Sequence, residues 1–142
     1  MKVYALQAIF SAKKDKPYVL TVNSKKTTLP IFLIEYTEFF HKEVIFKIKN
    51  LFTDTITVDS ECSFNFLDIQ QELTLNYVRN NEYYNFINKE DLIITYGGIL
   101  KYFNPTDDFE WSEYKFNEQF QGYSSDHNLN LLLNYIISRS RI

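Results

Sequence analysis

The sequence predicts one α+β domain. Three observations lead there: β-prone runs open the chain, a helix-spaced stretch follows at residues 37–52, and an amphipathic helix closes it after further strands. At 142 residues the whole chain, 1–142, fits a single domain. A domain of that size buries roughly two-thirds of the surface its unfolded chain exposes. A hydrophobic content of 45%, with 18% aromatic, supplies core material rich in Phe, Tyr and Ile.

Residues 3–11 are apolar and β-prone, and an alternating first strand is expected. A charged turn at 12–17 leads to a second strand at 18–23, then a polar turn at 24–28. Leu29-Pro30 introduces an apolar run at 31–34. In 37–52, Phe40, Val44, Ile48, Leu51 and Phe52 match helical spacing, while 44–49 also alternates in part like a strand. Helix is preferred, with Thr37 as N-cap and Glu38 and Glu43 preceding Lys47 and Lys49 in the order that favours the helix dipole.

Residues 55–58 read as a short strand. Phe66, Ile69, Leu73 and Leu75 are the apolar positions of 64–78, and the alternation over 72–77 suggests strand in its second half. Residues 79–88 read as a polar, aromatic loop. The clearest strand is 92–103, and its Gly97-Gly98 pair suggests a bulge or a close backbone contact. A Pro-containing turn at 104–108 and a short aromatic segment at 111–116 follow. The best helix is 128–140, where Leu129, Leu132, Leu133, Ile136 and Ile137 share a face. Ser124 or Ser125 can cap it, Asp126 sits at its positive end, and Arg139 and Arg141 sit at its negative end.

Net charge is −3 and the pI is near 5.4, which argues against a dedicated nucleic-acid binder. Lys13, Lys14 and Lys16, and then Lys25 and Lys26, flank turns and read as solvated hairpin charges. Cys62 is the single cysteine, so no intramolecular disulfide forms and a cytoplasmic setting fits. The apolar run after Met1-Lys2 is short and interrupted by Gln7, unlike a signal peptide. No segment approaches the about 18–20 continuous apolar residues of a membrane span, so no membrane partner is expected. Three Gly and three Ala against thirteen Asn point to an AT-rich genome, such as that of a phage or a low-GC bacterium.

Several signals together resemble the Nudix family. They are the strands of 3–22, Leu29-Pro30 ahead of a helix-spaced segment, the stretch 67–75 after it, and the strand of 92–100. Trp111 and an Asp126-His127 pair before a Leu-rich helix resemble the end of the ADP-ribose pyrophosphatases and of the Nudix-related regulators of NAD metabolism. Ser125 stands where that lead-in carries Phe. The resemblance implies a mixed sheet between helices with a C-terminal helix.

The family's box is Gly, five residues, Glu, seven residues, Arg-Glu, an apolar residue, any residue, Glu-Glu, any residue, Gly. Its carboxylates share a helix face and hold Mg²⁺ against a diphosphate. Counted from Leu29-Pro30, Phe32 takes the first glycine position and Glu38 the first Glu. Phe46 and Lys47 take Arg-Glu, Asn50 and Leu51 take Glu-Glu, and Thr53 takes the last Gly. Only Glu38 survives, and Lys47 brings positive charge to a metal position.

The expected function is therefore a catalytically degenerate Nudix-like domain acting by protein interaction or by sensing an ADP-ribose-like nucleotide, with no cofactor. An active hydrolase using displaced carboxylates Glu35, Glu38 and Glu43 is the alternative. Glu35 and Glu38 are weak metal candidates, for which a solvated helix face is the plainer reading. Tyr83, Tyr84 and Phe86 are the candidate ligand or partner contacts, with packing at the core edge as the alternative. The expected partner is another protein or a second copy, with a nucleotide as possible ligand. The acidic run Asp107, Asp108, Glu110 and Glu113 reads as a charged surface loop, His127 and Asp126 as helix-start residues, and Cys62 as a packed thiol. His41 receives no role.

Overall fold

A computed structural model describes residues 1–35, 37, 40–53, 62–67, 71–114 and 127–140. The order is β1 (Val3–Lys13), β2 (Lys16–Val22), β3 (Ile31–Ile34), α1 (Phe40–Lys49), β4 (Cys62–Leu67), α2 (Gln71–Arg79), a 3-10 turn at Glu82–Tyr84, β5 (Leu92–Leu100), β6 (Phe109–Glu113) and α3 (His127–Ser140).

The strands form one mixed sheet in the order β4-β5-β1-β2-β6. β1 runs parallel to β5 from the Val3–Leu92 pair to the Phe10–Ile99 pair. Its other edge is shared: β3 pairs antiparallel with Val3 to Leu6, and β2 with Phe10 to Lys13. Helices cover both faces. α1 lies over Val3, Ala5, Ile9, Ile94 and Tyr96 through Val44 and Ile48. α2 and α3 lie over Leu6, Ala8, Phe10 and Ile93 through Tyr77, Val78, Leu132, Leu133 and Ile136. This is the α+β class expected, a mixed sheet between helices that ends on a helix.

β1 is the central strand, so every residue from Val3 to Ser11 is buried. The expected alternation of a half-exposed first strand does not occur, because a sheet covered on both faces buries both sides of its inner strands. Gln7 and Ser11 are buried on the α1 face; Gln7 Nε2 donates to the Ala5 carbonyl at 3.2 Å, whereas Gln7 Oε1 and Ser11 Oγ meet no partner among the described residues.

The hairpin turn is narrower than the charged stretch 12–17 suggested. The pairs Ala12–Pro17 and Lys13–Lys16 belong to the ladder, and only Lys14 (φ 52°) and Asp15 (φ 63°) turn the chain. Two consecutive left-handed residues make a primed two-residue turn, whose twist matches that of the strands.

The expected helix at 37–52 forms over Phe40–Lys49, and Phe40 N–H donates to the Thr37 carbonyl at 3.2 Å. The strand expected over 72–77 is a helix instead. Thr74, Tyr77 and Val78 are its buried residues, a one-turn spacing on one face. Leu73, Leu75 and Tyr77 alternate in sequence, yet of the three only Tyr77 is fully buried. The stretch compared with the family's strand and loop is thus β4 followed by α2. Gly97 and Gly98 sit in unbroken register between Ala8-Ile9 and Asn65-Phe64, so they form no bulge.

In α3, Leu129, Leu132, Leu133 and Ile136 are buried as the spacing predicts. Each such side chain removed from water contributes about 1.5–3 kcal/mol. The expected strand at 55–58, Glu38, the cap residues Ser124 to Asp126, and Arg141 lie outside the described residues, as do the side chains of Cys62 and Arg139.

Candidate functional site

The box segment comes first, because the resemblance puts chemistry there. β3 pairs with β1 on one edge only. The Pro30 carbonyl accepts from Gln7 N–H at 2.9 Å, so backbone groups of residues 30, 32 and 34 face β1 and those of 33 and 35 face outward. α1 closes that outer edge. Lys47 Nζ donates to the Leu33 carbonyl at 2.7 Å, and the Glu35 N–H donates to Glu43 Oε1 at 3.0 Å. Glu43 and Lys47 stand four residues apart, hence on one face of the helix. Lys47, counted at a carboxylate position of the box in the sequence, is thus engaged with backbone. Of the carboxylates weighed for a displaced metal site, Glu43 receives the Glu35 backbone N–H, the Glu35 side chain is exposed, and Glu38 lies outside the described residues. Among the described residues no group of three His, Cys, Asp or Glu is placed to hold a metal ion.

The second region is the loop between α2 and β5. Tyr77 and Tyr84 meet behind it, their rings edge-on at 5.5 Å. The Tyr84 hydroxyl donates to the Leu29 carbonyl at 2.7 Å. The Tyr77 hydroxyl accepts from Leu29 N–H at 2.9 Å and lies 2.7 Å from the Thr27 carbonyl and 3.0 Å from the Tyr84 hydroxyl. Burial, and then Tyr77, raise the Tyr84 phenol well above its ordinary value. Two tyrosines from α2 and its following turn therefore clamp the Leu29 backbone. Asn81 starts the turn by accepting from Tyr83 N–H at 3.0 Å, and its Nδ2 donates to Thr28 Oγ1 at 3.1 Å.

The three aromatics singled out in the sequence separate here. Tyr84 is 2% exposed and belongs to the core. Tyr83 and Phe86 are 40% and 50% exposed. Phe86 meets Tyr4 edge-on at 5.5 Å, and Tyr4 pairs across strands with Leu33, itself 49% exposed. The exposed Leu33, Phe86 and Tyr83 thus make an apolar ridge around the buried Tyr4, with Tyr83 and Phe86 edge-on at 6.5 Å.

Beside the ridge lies a cleft of about 230 Å³. Leu75, Val78, Ile87 and Ile93 give it an apolar floor, and Arg79, Lys89 and Asp91 stand at its rim. Asp91 is engaged: Oδ1 accepts from Lys2 N–H at 3.0 Å and Oδ2 from Asn88 N–H at 2.9 Å. These bonds, that from Asn88 first, hold its carboxyl below the usual range.

The third region was not foreseen as a unit. Trp111 on β6 stacks between Phe52, at 5.8 Å, and Tyr102, at 5.3 Å. Its Nε1 donates to the Phe103 carbonyl at 2.8 Å. Tyr18 meets Tyr102 edge-on at 5.1 Å, and Lys13 Nζ lies 4.7 Å from the Tyr102 ring centre. These residues come from four separate stretches of chain, so no local pattern announces them.

Of the remaining candidates, His41 stacks on Tyr96 at 5.6 Å and its Nδ1 lies 3.1 Å from the Tyr96 hydroxyl. The acidic run is a loop only in part: Asp107 and Asp108 are exposed in the turn, whereas Glu110 and Glu113 stand on β6 in register with Thr21 and Tyr18. Glu110 Oε1 accepts from the N–H of Ser24, whose φ is 65°, and the Asp107 carbonyl accepts from Asn23.

No family model and no curated protein sequence matches the chain. Solved structures of similar fold exist. The chain is similar to one in the complex between the C-terminal domain of mouse MUTYH and human PCNA, with a TM-score of 0.52, 12% identity, and 99% and 90% of the two chains covered. It is similar to the NUDIX domain of Shewanella oneidensis NrtR complexed with ADP ribose (TM-score 0.49, 13% identity, 98% and 86% covered). It is also similar to C. elegans Ap4A hydrolase (TM-score 0.45, 12% identity, 80% of each chain). At such identities the likeness is one of fold.

Proposed function

We propose that this chain is a Nudix-like domain that acts by binding and not by hydrolysis. The observation that carries this reading is the engagement of α1 with β3. Counted in the sequence, Lys47 occupies a box carboxylate position and Glu43 lies one turn before it; they bond the Leu33 carbonyl of β3 and the Glu35 N–H just after it. A helix face used in this way presents an ammonium where Mg²⁺ would need a carboxylate.

The partner favoured is a protein or a second copy of the chain. The ridge of Leu33, Phe86 and Tyr83 supports that choice, because exposed aromatics beside an exposed apolar residue suit a protein contact. The fold is compatible with such a role, since the MUTYH domain was solved in complex with PCNA. The expected measurement is a concentration-dependent mass above 17.0 kDa, or capture of a defined partner, that Phe86→Ser with Tyr83→Ser abolishes.

Nucleotide sensing is the second reading. The cleft supports it, with an apolar floor and with Arg79 and Lys89 free of any ion pair among the described residues. Thermal shift with ADP-ribose and dinucleoside polyphosphates tests it, with and without Mg²⁺. Mg²⁺-dependent turnover that Glu38→Gln or Glu43→Gln abolishes would overturn the non-hydrolytic reading and restore the displaced-carboxylate alternative.

A further inference from the structure

We propose that the tip of the β1–β2 hairpin and the outer end of the aromatic stack bind a nucleoside phosphate, with the base on Tyr102 and the phosphate on Lys13 and Lys16. The inference rests on the nucleotide half of the reading above and gives it a place away from the α2 cleft.

The stack is layered as Phe52, Trp111, Tyr102 and Lys13. Trp111 stacks on both Phe52 and Tyr102, and the half-buried Tyr102 ring meets the Lys13 ammonium at 4.7 Å. An ammonium over an exposed ring is a weak contact, whereas a base stacked on an aromatic face is a stronger one that any base can make. A ligand base therefore displaces Lys13 from the ring and leaves its charge beside the ligand's phosphate.

The hairpin adds charge on the same side. Lys16 is directly opposite Lys13 in the ladder, so both share the face that carries Tyr18. Lys14 sits at the turn between them. None of the three has an ion-pair partner among the described residues. Like charges directly opposite each other destabilise a ladder, and so does a left-handed lysine at the turn. A bound phosphate offsets the first of these costs. Glu113, opposite Tyr18 on β6, keeps phosphate to the lysine side and offers an acceptor to an exocyclic amine.

Trp111 is the only tryptophan in the chain and touches Tyr102, so it reports directly on this site. The test titrates the full chain with AMP and with a short oligoadenylate, following Trp111 fluorescence. It repeats both titrations on the Lys13→Gln/Lys16→Gln variant, with adenosine and inorganic phosphate as partial ligands. Saturable quenching by AMP is expected. Affinity should fall about tenfold or more in the lysine variant and for either partial ligand. A Tyr102→Leu variant, read by anisotropy of labelled AMP, should lose binding by a similar factor. A response to the oligomer alone assigns the base and phosphate to single-stranded nucleic acid, and a response to AMP assigns a free nucleotide; both sustain the site. An unresponsive Trp111 with both ligands at millimolar concentration overturns it. Binding that the lysine substitutions leave unchanged also overturns it, and a thermal shift by AMP in that case keeps the nucleotide reading and moves the ligand elsewhere.

Discussion

Lys47 Nζ donates to the Leu33 carbonyl at 2.7 Å, across the outer edge of β3. An open strand edge invites pairing with another chain, and a charged side chain laid on it is a known means of protection. The same contact fixes α1 against the sheet, beside the bond from Glu35 N–H to Glu43.

Lys47→Met keeps much of the packing of the side-chain stem and removes the donor. The expected cost is about 1 kcal/mol, the size of a partly exposed hydrogen bond. The variant should also self-associate more readily, through the freed edge. Urea unfolding reads the first effect and sedimentation the second. Unchanged values in both would show that the contact does not guard the edge.

Tyr77→Phe removes the acceptor of the Leu29 N–H, a buried donor. A loss of about 1–3 kcal/mol is expected, the penalty of an unsatisfied buried group. Tyr84→Phe strands the Leu29 carbonyl. Because the two hydroxyls lie 3.0 Å apart, the double variant should depart from additivity by about 0.5–3 kcal/mol. A strictly additive cycle would refute the clamp.

Asp91 joins the chain start to the start of β5, through Lys2 and Asn88. Its folded-state pKa is lowered, so the fold favours the carboxylate. That stability is complete above the unfolded value near ~3.9 and disappears as pH falls through the lower folded value. Asp91→Asn should melt earlier than the parent at neutral pH, and the gap should close in strong acid. A gap that persists there would point to lost packing instead.

Burial pushes the Tyr114 phenol up to about 12, and the Tyr84 and Tyr102 phenols are raised too. The folded state then favours the neutral phenols. Their contribution is full below the unfolded value near ~10 and is lost as pH rises through the folded values. Phenolate absorbance should therefore show fewer than all eleven tyrosines ionising in the ordinary range, with the rest appearing on alkaline unfolding. A single transition of all eleven near the ordinary value would contradict the burial of Tyr114.

Much of the element order was legible because periodicity is local. Leu129, Leu132, Leu133 and Ile136 announce α3, and Val44 and Ile48 announce α1. The error at α2 has the same origin. Leu73, Leu75 and Tyr77 alternate, yet Thr74, Tyr77 and Val78 face the sheet. Period alone could not choose between them over so few residues, and contact with α3 and β5 did. Tyr83 and Phe86 were marked by their polar neighbours and are exposed, whereas Tyr84 between them is held inward by Tyr77 and Leu29.

By itself the sequence determined the α+β class and the placing of the C-terminal helix, and it favoured helix over strand at 37–52, because each depends on residue type and spacing within a short window. Only the tertiary structure decided what Lys47 engages and which aromatic side chains meet or stay exposed. Lys47 reaches Leu33, Phe86 reaches Tyr4, and Trp111 stacks between Phe52 and Tyr102 across gaps in sequence that no periodic pattern spans. Such contacts arise when the sheet brings distant strands side by side, and burial on both of its faces then fixes which side chains meet.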